Sequence, residues 1–407
     1  MNPSPVILFG AFDRHNFGDL LFPHVAAAML PGRELLFAGL ADRDLRPFGG
    51  HRVRPLAQVV AGLGGRPADL IHVGGEILVC DAWQAAVMLL SPDEARAAIA
   101  RFDAQPAERL AWALRQLTDA TGGRSRAPYV VPRGRFPAVA RIVHAGVGGV
   151  APDDCSPALR AEVLACLAEA DAVGVRDRHT LAQLETAGIA ARLMPDPAAM
   201  VAELFGARIR ARGERGEPRQ LATAFPQGYL AVQFSADFGD DDTLTRIATQ
   251  LEQLVTATGL GIALFRAGAA PWHDDLEVLG RTAARIRGAP VRVFGSLDAW
   301  DICALIAASR GYCGSSLHGR IVAMAFGLPR VNLGGSGGKQ QAYSATWDLP
   351  EMPAAVGPDD LAAAMREALA SDPARLRAWA ARLVAAWQEG FAFASLAVTP
   401  AAPGHSG

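Results

Sequence analysis

Short apolar runs alternate with segments of helical period along most of the chain. Residues 5–11 (PVILFGA) are apolar throughout and read as a buried strand. Strand-like runs recur at 34–39 (ELLFAG), 68–75 (ADLIHVGG), 141–149 (RIVHAGVGG), 171–177 (DAVGVRD) and 191–197 (ARLMPDP). Several of these runs end in glycine or a polar residue and lead into helical patterns, notably 159–170 and 179–188. Alternation of this kind predicts right-handed βαβ units on a parallel sheet. A helix is expected over Glu108–Thr118, and the Arg/Gly/Pro-rich stretch after it reads as a solvated loop, with contact of its cationic residues to an anionic substrate as the alternative.

A second series starts at 229–235 (YLAVQFS) and continues through 261–268 (GIALFRAG) and 291–295 (VRVFG), with helices expected after each. Between the two series, residues 209–226 are charged, carry Gly and Pro, and show no period, so they read as a linker. The fold class that follows is α/β: two doubly wound parallel-sheet domains facing a cleft. Residues 1–208 form the first and 227–392 the second, with 393–407 a disordered tail. Ligands are expected at the carboxyl ends of the strands.

The second series ends in Gly311–Leu333 (GYCGSSLHGRIVAMAFGLPRVNL), a strand, a polar loop, a helix, and a strand entered through Pro329. Ser315 and Ser316 suit a helix cap. From Ile321 the helix is apolar almost all round, and only its first turn holds ionisable groups, His318 and Arg320. A buried helix with that distribution predicts an anion site at its positive end; a plain finished helix end is the alternative.

Composition narrows the class. The chain has 407 residues, 51% hydrophobic and 20% charged, enough for two full cores. Its net charge of −2 gives no case for a nucleic-acid partner. Five scattered cysteines without zinc spacing favour reduced thiols and a cytoplasmic location. No signal peptide and no membrane span are expected, and no metal cluster is visible.

Two further loops carry candidates. Gly10–Asp19 links a strand to a helix and holds Asn16, Gly18 and Asp19: the aspartate suits a cap, the glycine a close backbone approach. Gly74 and Gly75 end a strand, admitting either a ligand or packed backbone. Arg176, also at a strand end, suits a carboxylate or phosphate, with a salt bridge to Asp177 or Asp196 as the alternative. Asp196 lies in a rigid turn between two prolines. His273-Asp274-Asp275 reads as a helix start.

Together NFGD, DLIHVGGEIL, GVRDRHTLAQLETAG, MPDP and GSSLHGRIVAMAFGLPRVNL, in this order, resemble the polysaccharide pyruvyl transferase family. The resemblance implies a GT-B-like fold and transfer of a pyruvyl group from phosphoenolpyruvate to saccharide hydroxyls, commonly as a ketal, in polysaccharide or exopolysaccharide biosynthesis. It places Arg176, Leu317 and His318 at phosphoenolpyruvate-binding positions and Lys339 where a lysine often follows the last strand. Ser316 stands where many members carry arginine, and Glu76 replaces a common third glycine. The implied roles are anion binding by Arg176, Arg320, Lys339 and the first turn at Ser316–Leu317, with His318 in acid/base work and Asp19 or Asp196 activating the acceptor hydroxyl. Phosphoenolpyruvate is then a co-substrate, and no cofactor is expected. The acceptor is a saccharide or lipid-linked saccharide, and peripheral membrane association stays open. A sugar-nucleotide glycosyltransferase and a non-catalytic anion- or saccharide-binding relative remain as alternatives.

Overall fold

Two parallel sheets, each flanked by helices, carry the chain in a computed structural model that describes residues 4–102, 104–149, 155–335 and 337–396. The first sheet is made of β1 (Val6–Phe9), β2 (Leu35–Gly39), β3 (Arg43–Asp44), β4 (Arg52–Pro55), β5 (Ala68–Val73), β6 (Val139–Val147), β7 (Ala172–Val175) and β8 (Arg192–Leu193). Their spatial order is β3-β4-β2-β1-β5-β6-β7-β8, parallel except for the β3–β4 pair. The second contains β9 (Tyr229–Gln233), β10 (Gly261–Leu264), β11 (Val291–Val293), β12 (Gly311–Gly314) and β13 (Arg330–Asn332), all parallel, in the order β11-β10-β9-β12-β13. Each sheet is wound both ways from a central strand, so strand order reverses between β1 and β5 and between β9 and β12. β1, β5, β9, β10 and β12 are buried at every residue. Helices cover both faces of such strands, which is why they are written as continuous apolar runs without alternation.

The helix Leu317–Ala325 is buried along its whole length. Ser316 caps it by accepting from the Gly319 N–H at 3.2 Å. Gly327, at φ 62°, carries the chain out of the helix toward Pro329 and β13.

Three stretches differ from the sequence reading. Most of residues 209–226 lie in two helices, Val201–Gly213 and Gly216–Ala224. Their charge is used in tertiary contacts: Arg212 pairs with Asp298 at 2.8 Å and Asp301 at 2.7 Å. Pro218 falls in the first turn of its helix, where a missing N–H leaves no broken bond. Residues 338–347, after the glycine run, also form a helix. The helix Pro373–Leu396 returns to the first sheet, where Gly390 packs so closely on Met194 that an added Cβ would lie 2.5 Å from it. Residues 393–396 are therefore helical, and 397–407 lie outside the described residues.

The two halves are stitched by backbone. Phe17 N–H donates to the Ala267 carbonyl at 2.9 Å, and Ala269 N–H to that of His15 at 3.1 Å. Trp300, fully buried, donates its indole N–H to the Gly49 carbonyl at 3.0 Å. These contacts bring the loop after β1 against the loops of the second sheet.

Candidate active site

The two reversal points face one another, which places the carboxyl ends of β1, β5, β7, β8 and β12 around one cleft. From the first half come Asn16, Asp19, Glu76, Arg176 and Asp196; from the second come Ser316, Leu317, His318 and Lys339. His318 is at the centre, reached by side chains of both halves.

Its ring is oriented by a hydrogen-bond relay. His273 Nδ1 is 3.0 Å from the Pro271 carbonyl and must donate there, which leaves its Nε2 to accept from Asn16 Nδ2 at 3.3 Å. Asn16 Oδ1 then accepts from the Gly18 N–H at 3.2 Å and from His318 Nδ1 at 3.1 Å. The relay assigns the His318 proton to Nδ1 and leaves Nε2 bare. That nitrogen is buried without a hydrogen-bond partner, 3.9 Å from Asp19 Oδ1 and 3.8 Å from Asp196 Oδ2.

Burial first, and then Arg176, Lys339 and His273, hold His318 well below its ordinary imidazole range. Asp19 is pushed up to about 6 by burial, against the pull of Arg14, Lys339 and Arg176. Asp196 is raised by burial as well, with Arg176 opposing. The site thus holds a neutral imidazole beside two carboxyl groups reluctant to ionise, an arrangement suited to moving one proton.

Arg176 is buried, donating to Asp196 at 2.8 Å and to Glu76. The salt bridge weighed from sequence exists, and the guanidinium also lines the cleft. Its carbonyl accepts from the Trp347 indole at 2.7 Å, and Asp196 N–H donates to Tyr343 Oη at 3.3 Å. Helix 338–347 therefore fixes both residues. Lys339, at the start of that helix, borders the cleft with no ion pair among the described residues.

The cleft has two chambers meeting at His318. One, about 280 Å³, lies toward the first sheet and is lined by Arg14, Asp19, Glu76, Arg176 and Lys339 among others. The other, about 490 Å³, lies toward the second sheet and is lined by Gln233, Trp272, Asp274, Ser316, Asn332 and Gln340 among others. Asn16, Trp272, His273, Leu317, His318 and Lys339 border both. Among the described residues no group of three or more His, Cys, Asp or Glu is arranged to hold a metal ion.

Several candidates fall elsewhere. Arg320 is directed away from the cleft: its guanidinium, wholly buried, donates to Asp348 at 2.6 Å and to the carbonyls of Met352 and Pro353. Two residues beyond His318, and so roughly 200° round the helix, it points to the opposite face. Gly74, at φ 61°, serves packing, since a Cβ there would lie 2.8 Å from Phe22. Gly75 lines neither chamber. Gly18 makes room for His318 instead of a ligand. His273 and Asp274, read as a helix start, belong to the site, and only Asp275 caps the helix 276–285.

Gln233, Trp272, Asn332, Arg14 and Tyr343 were not singled out from sequence. Gln233 and Asn332 did leave a trace, as polar residues at the carboxyl ends of apolar strands.

The fold is shared with sugar-nucleotide enzymes. UDP-GlcNAc 2-epimerase from Neisseria meningitidis, bound to UDP-GlcNAc, superposes with a TM-score of 0.56 at 11% identity, covering 97% of this chain and 99% of that one. The Staphylococcus aureus MnaA–UDP co-structure gives 0.53 at 13%, covering 100% of both. Trehalose 6-phosphate synthase from Burkholderia multivorans gives 0.51 at 14%, covering 98% and 99%. Identities this low establish a common GT-B-like architecture and no more. No curated protein matches the sequence significantly. The family model described as polysaccharide pyruvyl transferase matches residues 145–337, just under half of the chain and the stretch that carries Arg176, Asp196, Ser316 and His318.

Proposed function

We propose that the protein moves a pyruvyl group from phosphoenolpyruvate to hydroxyls of a saccharide or saccharide precursor, closing a ketal. The observation that carries this is the bare Nε2 of His318, set between the carboxyls of Asp19 and Asp196 where the two chambers meet.

Pyruvyl transfer begins with a proton delivered to the methylene carbon of phosphoenolpyruvate, which makes C2 an oxocarbenium-like centre. A sugar hydroxyl adds to C2 and gives up its proton. Phosphate then departs with the electrons of its C–O bond, and a second hydroxyl adds at C2, losing its proton as the ketal closes. The protein must hold two negative groups, lend one proton to carbon and take up two from the hydroxyls, of which one restores the acid and the other leaves with phosphate.

Arg176, Lys339 and the N–H groups of the first turn at Leu317 supply the anion contacts. The negative charge of bound phosphoenolpyruvate opposes the field that keeps His318 neutral, so binding favours a proton on Nε2, where it can be delivered. Asp19, with its pKa near 6, or Asp196 receives the hydroxyl proton.

A sugar-nucleotide reading draws on one observation, that Gly334, Gly335 and Gly337 border the larger chamber near the Leu317 helix terminus, where a diphosphate would fit. One assay separates the two: phosphate release from phosphoenolpyruvate across a panel of sugars and lipid-linked saccharides, with His318→Ala as control. Acceptor-dependent release that the variant loses supports pyruvyl transfer. No thermal stabilisation by phosphoenolpyruvate, together with stabilisation by UDP or GDP, overturns it.

A further inference from the structure

We infer that the larger chamber is the saccharide subsite, where Asn332 reads ring hydroxyls and Trp272 carries the face of a pyranose. The assignment deepens the pyruvyl-transfer reading and rests on it for the identity of the second substrate.

Asn332 ends β13 and lines this chamber. It is 2% exposed, and its Nδ2 and Oδ1 both lack a hydrogen-bond partner, although its backbone N–H and carbonyl are bonded to Pro353 and Val356. A buried amide left open on both atoms is costly, and such groups are rare unless a ligand completes them. The pair also selects the ligand. A hydroxyl both donates and accepts, so it can satisfy either atom. A phosphate or carboxylate only accepts, so it would pair with Nδ2 and leave Oδ1 facing negative charge.

The charges of the two chambers divide in the same sense. Arg14, Arg176 and Lys339 outnumber Asp19 and Glu76 around the smaller one, whereas around the larger one Asp237 and Asp274 outnumber Lys339. Asp237 and Asp274 line the larger one, where the Asp274 carboxylate accepts from Gln233 Nε2 at 2.8 Å and from the Ala267 N–H. An anionic donor is drawn to the first chamber and a neutral polyol to the second.

Trp272 supplies the apolar contact. It is 50% exposed and, among the described residues, the one non-glycine with positive φ, at 62°. A bulky residue rarely adopts that conformation, and the neighbouring bonds hold it there. His273 N–H donates to the Ala270 carbonyl at 3.2 Å, and Asp274 N–H to that of Gly268 at 3.3 Å. The C–H face of a pyranose packs on such a ring while its hydroxyls stay at the edge, where Asn332, Gln233 and Gln340 can be reached.

Saturation-transfer NMR with methyl glucosides, galactosides and mannosides, and their monodeoxy forms, tests this on the full chain without any turnover. The expected result is binding by the wild type, weakened between about twofold and tenfold in Trp272→Ala. Asn332→Leu should bind weakly and lose its response to removal of one particular hydroxyl, while phosphoenolpyruvate should not displace the sugar. Trp272 is half exposed, so its variant keeps the inference testable if Asn332→Leu folds poorly. Absence of binding by every pyranoside overturns it, as does equal binding by wild type and both variants, or displacement of the sugar by UDP. If phosphoenolpyruvate leaves the melting temperature unchanged while the pyranoside results hold, the pyruvyl reading fails and the saccharide subsite stands.

Discussion

A Cβ on Gly18 would lie 2.0 Å from His318 Cγ, so the glycine in the first turn of one helix is what lets the histidine of another reach its working position. The two residues belong to different halves, and the Asn16 relay ties them together. In an ordinary exposed helix Gly→Ala stabilises by roughly 0.5–1 kcal/mol. Here Gly18→Ala should lower the melting temperature and remove transfer activity, because the methyl group must displace the imidazole or part the halves. Thermal unfolding beside a phosphate-release assay checks both, and an active, stabilised variant would refute the contact.

Asp19 sets a pH dependence. Its folded pKa, about 6, is raised from the ordinary 3.8, so the folded state binds its proton more tightly than the unfolded chain does. The stability this gives is present below pH 3.8 and is lost as pH rises through about 6. A shift of that size corresponds to about 3 kcal/mol. Asp19→Asn escapes the loss, so its stability relative to wild type should climb between pH 4 and 6 and then level off. Denaturant unfolding at fixed pH values follows this directly, and a flat difference would show that the carboxyl is not strained. The same variant should lose most of its transfer rate.

Arg176 and Lys339 separate structural from ligand-facing cations. Arg176 neutralises the buried Asp196 and pairs with Glu76, so Arg176→Met takes the counter-charge from the buried Asp196 and should cost about 3–5 kcal/mol. Lys339 makes no ion pair among the described residues, and Lys339→Ala should unfold within a degree or two of wild type while raising the KM for phosphoenolpyruvate about tenfold or more. Melting curves and donor-saturation kinetics on both variants test the contrast. Equal kinetic and stability losses would remove the distinction.

Sequence alone gave the sheets and the central helix because parallel strands covered on both faces are written as unbroken apolar runs, of which VILF in β1 is the plainest. The same logic puts Arg176 and Asp196 at strand ends and His318 in the first turn of the helix after another strand, and the structure brings the three together. What stayed hidden depends on rotation and on distant partners. Arg320 shares a helical turn with His318 yet faces away. The helices over 201–224 carry charges that resemble a solvated linker until Asp298 and Asp301, some ninety positions later, are placed beside Arg212. His273 looks like a helix start in one dimension, because its role in the relay depends on Asn16 from the other half.

Arg320 yields the last prediction. It shares Asp348 with Arg330, and all three side chains are buried. Burial works against the Asp348 charge, but the two guanidiniums outweigh it and hold its carboxyl below the usual carboxylate range. Its stabilising contribution is therefore present above pH 3.8 and fades only as pH falls through that lowered value. Removing the shared carboxylate leaves two like charges buried together, whereas removing Arg320 leaves one satisfied pair and two carbonyls short of a donor. Asp348→Ala should thus cost more than Arg320→Met, about 3–5 kcal/mol against about 2–3 kcal/mol. Because Arg320 does not line the cleft, Arg320→Met should keep its KM for phosphoenolpyruvate within about twofold at a temperature where it is folded. A large rise in KM without loss of stability would return Arg320 to the substrate site.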